Sequence, residues 1–114
     1  MIKIITSPIS KEKLKESARE FFIDFAKAVV DIERGIMAIG GEFHVDCESV
    51  LLENGCKQPN LWGINIYTEK PSSERIEFDS MINIRPKQGN RTRGVDNEEI
   101  REKITAIVNK LINE

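Results

Sequence analysis

The apolar positions at the start of the chain predict a short strand followed by an amphipathic helix. Ile2, Ile4 and Ile5 are typical of a strand, and Ser10 is a suitable helix N-cap. Apolar residues then recur at intervals of three and four, which predicts a helix over residues 10–25. The residues of this stripe are Leu14, Ala18, Phe21, Phe22 and Phe25.

The next segment, "KAVVDIERGIMAIGG", fits two structures. It is rich in β-branched residues and has Glu33-Arg34-Gly35 between two apolar runs, which predicts a hairpin over residues 27–40. Its apolar residues also continue the helical period, so one long helix that ends at Arg34 is the alternative.

Alternating apolar and polar residues dominate the middle of the chain. In "FHVDCESVLLENG" and "LWGINIY" we predict strands on both sides of Asn54-Gly55, a dipeptide typical of hairpin turns. A helix that ends at Gly55 is the alternative for the first of these segments. "RIEFDSMINIRP" predicts a strand over residues 76–85, with Ile76, Phe78, Ile82 and Ile84 on one face.

The last element is a predicted helix over residues 96–112. Asp96 and Glu99 resemble a capping box, and an apolar stripe follows at Ile100, Ile104, Ile107, Val108 and Leu111. Together the elements predict one α+β domain over residues 1–114. Its architecture is a mainly antiparallel β-meander sheet with two amphipathic helices packed on one face.

Charge and composition narrow the range of partners. The net charge of −2, with 39% apolar and 32% charged residues, suits a soluble globule without general attraction to nucleic acid. No apolar run is long enough for a signal peptide or a spanning helix, so we predict a cytoplasmic protein without membrane contact. Cys47 and Cys56 match no zinc pattern and are predicted to be reduced, and no cofactor is predicted.

Polar side chains on the predicted sheet give the first half of a candidate site. Asn65 and Asn83 each stand between two isoleucines that must face the core, so both amides face the other way, and Arg85 joins them. If "HVDCE" is extended, its alternate polar residues share this face. The candidate catalytic residues are therefore His44, Asp46 and Glu48, with the imidazole as acid or base and a carboxylate to orient it. A divalent metal site and a plain solvated sheet face are the alternatives.

The stretch "INIRPKQGNRTRG" gives the second half. It contains four cations and no acid, and Pro86 ends the predicted strand. Gly89 and Gly94 allow backbone N–H groups to converge on an anion, and Asn90, Arg91 and Arg93 are predicted to contact that anion.

These residues favour a binding site for a small anionic ligand that bears a phosphate or carboxylate group, and they leave open whether the site is catalytic. A protein-interaction or homodimer module is the alternative, with Val29, Met37 and Met81 exposed on the sheet. Weak nucleic-acid binding through residues 85–93 is a third hypothesis. The absence of aromatic residues in that stretch disfavours it.

Three segments resemble a known family. "GGEFHVDCESVLLENG", "LWGINIY" and "IEFDSMINIRPKQGNR" are similar to a small family of bacterial and archaeal proteins catalogued only as a domain of unknown function. The resemblance covers roughly residues 28–111 and includes the His-x-Asp-x-Glu and Asn-x-Arg-Pro patterns. It implies a stand-alone prokaryotic cytoplasmic protein, and it implies no activity, cofactor or catalytic residue.

Overall fold

A computed structural model describes residues 1–113. These residues form five strands in one antiparallel sheet and three α-helices. The strands are β1 (Lys3–Ile5), β2 (Phe25–Asp31), β3 (Ile36–Ile39), β4 (Leu61–Tyr67) and β5 (Ile76–Glu77). The helices are α1 (Lys11–Arg19), α2 (His44–Glu53) and α3 (Glu98–Leu111).

The predicted α+β class is confirmed, but the predicted meander is wrong in its strand order. The order in the sheet is β1-β3-β2-β4-β5, so β1 pairs with β3 rather than with β2, and β4 pairs with β2 rather than with β3. The prediction of two helices also omits α2, because the segment that forms α2 was expected to form a strand.

The hairpin of β2 and β3 is confirmed, and the alternative long helix is wrong. Asp31 organises the turn, because its Oδ1 accepts hydrogen bonds from the backbone N–H groups of Glu33 and Arg34 at 2.9 and 3.0 Å. Gly35 follows with a positive φ of 69°, a conformation that glycine adopts without steric cost. The helix before the hairpin ends at Arg19, six residues earlier than predicted.

Residues 44–53 form a helix, so the predicted strand in "HVDCE" is wrong. The buried positions His44, Cys47 and Leu51 are three and four residues apart, which is the helical period. Asn54-Gly55 ends this helix instead of turning a hairpin. Gly55 has a φ of 89°, and the N–H groups of Gly55 and Cys56 donate to carbonyl oxygens of the last helical turn.

The predicted strand over residues 76–85 is wrong beyond Glu77. The chain leaves the sheet after β5, and Met81–Asn83 form a 3₁₀ turn in which the Ser80 hydroxyl accepts from the N–H of Ile82 at 3.3 Å. The predicted common face also fails: Ile76 packs with the residues on one side of the sheet and Ile82 with those on the other. Ile84 is 38% exposed.

The start of the last helix differs from the prediction by one residue. Asn97, not Asp96, is the N-cap of α3, and its side chain accepts from the N–H of Ile100 at 3.1 Å. Asp96 instead closes the preceding loop, where its carboxylate accepts from the N–H of Arg91 and the hydroxyl of Thr92.

Apolar residues cover both faces of the sheet. The first cluster contains Leu14 of α1 and Ile104 of α3, packed with alternate strand residues such as Val30. The second cluster contains Cys47 and Leu51 of α2, and its other buried members are Val29, Ala38, Cys56 and Leu61. Val29 and Met37, which were predicted to be exposed for protein contacts, are fully buried because these clusters cover them, whereas Met81 is 65% exposed.

Candidate functional site

A pocket of about 340 Å³ opens on the α2 side of the sheet. Its walls come from β2 and β4, the N-terminus of α2, the segment 79–82 and Arg93. The volume falls in the range of small-molecule sites. The lining residues are Phe25, Lys27, Phe43, His44, Val45, Asn65, Asp79, Ser80, Met81, Ile82 and Arg93.

The strand register brings Lys27 and Asn65 together at this pocket. They are direct cross-strand partners in β2 and β4, and Asn65 is in turn paired with Glu77 of β5. The Asn65 Nδ2 donates to Glu77 Oε1 at 2.8 Å, while the Asn65 Oδ1 is buried without a hydrogen bond. A row of cation, amide and carboxylate therefore crosses three strands.

Lys27 is a cation without an acidic partner. Its Nζ lies 5.5 Å from the ring centroid of Phe22 and 5.8 Å from that of Phe43, which are cation–π distances. Within the described residues 1–113, no carboxylate lies at ion-pair distance from it. Its charge is therefore available to an anion in the pocket.

The N-terminus of α2 adds backbone donors to the same wall. The N-cap residue, Phe43, has no polar side chain, and its carbonyl oxygen accepts from the N–H of Asp46. The N–H groups of His44 and Val45 have no acceptor among residues 1–113. Unpaired N–H groups at the positive end of a helix favour an anion.

His44 is buried between α2 and β4. Its Nε2 lies 2.8 Å from the carbonyl oxygen of Ile64, so this nitrogen carries the proton and donates it. Burial lowers the pKa of His44 below its usual value, and the charge of Lys27 lowers it further. The Ile64 carbonyl, Asp79 and Asn65 favour the protonated ring but do not offset burial. The imidazole is therefore neutral at pH 7.

Arg93 and Asp79 form an ion pair that also lines the pocket. The Arg93 Nε donates to Asp79 Oδ1 at 2.6 Å. The terminal guanidinium nitrogens of Arg93 have no partner in the part of the chain that the structure describes. Asp79 thus orients the guanidinium and leaves donors for a ligand.

Among the predicted catalytic residues, only His44 lines the pocket. Because residues 44–53 are helical, Asp46 and Glu48 do not lie beside His44 on one face as the strand prediction required. Asp46 is exposed and borders a separate surface depression with Met1 and Gly41. Glu48 faces Arg85, and burial raises the pKa of its carboxyl group while the charge of Arg85 opposes this increase.

Asn83 and Arg85 bind the free edge of β4 rather than lining the pocket. The Asn83 side chain pairs with the backbone of Gly63 like a strand residue: Oδ1 accepts from the N–H at 2.8 Å and Nδ2 donates to the carbonyl oxygen at 2.9 Å. Arg85 donates to the carbonyl oxygens of Leu61 and Gln58, each at 2.7 Å, and stacks on Trp62. These side chains satisfy an edge that β5 is too short to cover.

Asn90 organises the basic loop from inside. Its Nδ2 donates to the carbonyl oxygens of Asn83, Thr92 and Gly94, and its Oδ1 accepts from the N–H of Asp96 at 2.8 Å. Arg91 is exposed beside this loop and does not line the pocket. Of the six predicted ligand-binding residues, the structure brings Asn65 and Arg93 to the pocket.

Sequence reasoning missed Lys27 and Asp79. Lys27 is the only charged residue between Phe25 and Val30. A single charge within an otherwise apolar strand could have identified it as a candidate site residue. Asp79 carried no comparable signal, because its position depends on the chain leaving the sheet after β5.

No group of three His, Cys, Asp or Glu side chains within residues 1–113 is arranged to hold a metal ion. Cys47 and Cys56 are free and buried, and burial raises the pKa of each thiol to about 11. None of the helices described for residues 1–113 has the length and apolarity needed to cross a membrane.

The fold and the pocket together define a small α+β protein with a candidate ligand site beside an antiparallel sheet. The chain belongs to the family described as "Protein of unknown function (DUF5674)", which matches residues 3–111. This confirms the resemblance seen in the sequence. No curated protein and no solved structure matches the chain.

Proposed function

We propose that the protein binds a small anionic ligand in the pocket beside the N-terminus of α2. The observation that carries the proposal is Lys27, a cation in the pocket wall with no carboxylate partner among residues 1–113. The unpaired N–H groups of His44 and Val45 support the same ligand chemistry.

The electrostatic balance of the pocket also favours an anion. Lys27 and Arg93 contribute two positive charges, Asp79 contributes one negative charge, and His44 is neutral at pH 7 because burial lowers its pKa. The positive end of α2 adds roughly half a charge. The mouth is apolar, since Phe43, Val45 and Met81 are each more than half exposed, which suits a ligand with a hydrocarbon part.

A phosphate titration followed by amide NMR tests the proposal, with Lys27→Gln as the informative variant. At constant ionic strength, phosphate is expected to shift the backbone signals of His44 and Val45 until they saturate. Lys27→Gln is expected to weaken the affinity about tenfold or more, because a charged hydrogen bond contributes about 1.5–3 kcal/mol.

Lys103→Gln is the matched control, because Lys103 is an exposed lysine of α3 away from the pocket. It removes the same charge and is expected to leave the phosphate affinity unchanged. Equal weakening in both variants would mean that phosphate responds only to net charge. Wild-type signals that never shift or saturate would also overturn the proposal.

A further inference from the structure

A second surface depression, of about 370 Å³, adjoins the pocket at Phe43. Phe43 lines both cavities, and its side chain is 54% exposed. Ile2 and the half-exposed Phe21 add apolar surface to the second depression. A ligand longer than a single acid group can therefore leave the pocket across Phe43 and continue over apolar surface.

The two cavities carry opposite charges. Lys27 lines the pocket and has no carboxylate partner among residues 1–113. The second depression is lined by Glu42 and Asp46, which are both exposed, and no cation of the described chain lies at ion-pair distance from either. Met1 also lines it, but its ammonium group is already paired with Glu20. Charge complementarity thus favours a ligand that is anionic at one end and cationic at the other.

Aromatic contacts limit the length of such a ligand. The Lys27 Nζ lies 5.5 Å from the ring centroid of Phe22, and the rings of Phe22 and Phe21 are 6.5 Å apart. The Nζ is therefore at most about 12 Å from the Phe21 ring, the sum of these two distances. An extended peptide covers about 3.3–3.6 Å per residue, so about three residues reach from Lys27 into the second depression.

We propose that the ligand is a short peptide of about three residues with both termini free, whose carboxylate binds at Lys27 and whose ammonium group binds at Glu42 and Asp46. This inference rests on the proposed anion site and specifies its ligand class. A free peptide fits because its termini carry opposite charges and its backbone holds them apart. Its apolar side chains contact Phe43 and Phe21, the exposed rings along the path between the two charges.

Trileucine and three matched probes test this class. They are titrated into the wild-type protein at pH 7.0, where a terminal amine is mostly protonated, and binding is followed by the amide NMR signals of residues 42–46. Trileucine is expected to bind at least about tenfold more tightly than leucine, which carries both charges but is too short to span both cavities. Trileucine amide, without the carboxylate, is expected to lose about tenfold or more. N-Acetyltrileucine, without the ammonium group, is expected to lose at least about threefold, because an exposed ion pair contributes less.

The Phe21→Ala variant tests whether the ligand enters the second depression. Phe21 does not line the pocket, so phosphate affinity is expected to stay unchanged while trileucine affinity falls at least about threefold with the lost apolar contact. Ile23→Ala is the matched control, because Ile23 is 91% exposed and lines neither cavity. It is expected to leave both affinities unchanged.

The outcomes separate this inference from the anion site. Phosphate binding that weakens in Lys27→Gln, with trileucine no tighter than leucine, would overturn the peptide inference and leave the anion site intact. Equal binding of trileucine and N-acetyltrileucine would overturn it as well, and so would equal trileucine affinity in Phe21→Ala and Ile23→Ala. The probe comparisons use wild-type protein, so they decide even if a variant fails to fold. If wild-type protein binds neither phosphate nor trileucine, both proposals fail.

Discussion

At the scale of single residues, the ionisation of His44 couples to folding because its ring is buried. An unfolded histidine titrates near pH 6.5, and burial lowers the pKa of His44 in the folded state. Between the two pKa values the unfolded chain binds more protons than the folded chain. The stability that depends on neutral His44 is therefore complete above about pH 6.5 and is lost as the pH falls toward the folded-state pKa.

We predict that the free energy of unfolding falls between pH 7 and pH 5.5 more steeply in the wild-type protein than in His44→Gln. Each unit of pKa depression corresponds to about 1.4 kcal/mol. Urea unfolding at the two pH values measures the difference. Because His44 is the only histidine, a proton NMR titration of its ring gives the folded-state pKa directly. A value of 6.5 or above, or equal pH slopes in the two proteins, would contradict the prediction.

At the scale of elements, Gly63 determines how the loop after β5 sits on the sheet. A Cβ atom added at Gly63 would lie 2.6 Å from both Cβ and Oγ of Ser80. Ser80 cannot move aside easily, because its N–H donates to the carbonyl oxygen of Arg93 at 2.9 Å. The absence of a side chain at Gly63 is thus what lets segment 79–82 form a wall of the pocket.

We predict that Gly63→Ala lowers the free energy of unfolding by about 1–3 kcal/mol, the range of overpacking in a closely packed region. Gly94→Ala is the matched control in the same loop, since its added Cβ would have no contact closer than 3.4 Å. It is expected to change stability by less than about 0.5 kcal/mol. Urea unfolding followed by circular dichroism compares the two, and equal effects would show that the contact with Ser80 is unimportant.

Some elements could be predicted from their pattern of apolar residues, but the segment that forms α2 could not. β4 and α3 were predicted correctly, because "LWGINIY" alternates and the stripe through Ile104 and Val108 is helical. "HVDCESVLL" satisfies both periods, and Asn54-Gly55 ends a helix as readily as it turns a hairpin. Tertiary packing decides in favour of the helix, because the apolar residues Val29 and Leu61 lie on the α2 side of the sheet and are buried against α2.

Some residues of the candidate site could be placed from the sequence, and others could not. The alternation of side chains along β4 correctly predicted that Asn65 lies on the face opposite its neighbouring isoleucines. His44 also lines the pocket, although the segment that contains it was predicted to be a strand and is a helix. The positions of Asn83 and Arg85 depend on side chains pairing with the backbone of β4, about twenty residues away. Local pattern carries no information about such contacts, so these residues were expected at a ligand and instead close the sheet edge.

At the scale of the whole molecule, the two apolar clusters share the same strands. Ala28 and Val30 of β2 enter one cluster, while Val29 between them enters the other. Loss of either cluster therefore removes the support of the strands that build both. We infer that the layer of α2 opens together with the layer of α1 and α3, as one cooperative unit.

Cys47 gives a probe of this cooperativity, because its thiol is fully buried against the sheet and burial raises its pKa to about 11. Alkylation at pH 8 then requires opening of the α2 layer.

We predict that Leu14→Ala, a change in the opposite cluster, speeds Cys47 alkylation at least about 30-fold, because truncating a buried leucine costs about 2 kcal/mol or more. Leu51→Ala, which contacts the Cys47 cluster itself, is expected to act similarly. Ile23→Ala, at a residue 91% exposed, is the control and should leave the rate unchanged. Peptide mass spectrometry follows Cys47 separately from Cys56. Acceleration by Leu51→Ala but not by Leu14→Ala would mean that α2 detaches independently, and the pocket at its N-terminus would then open without unfolding the rest of the sheet.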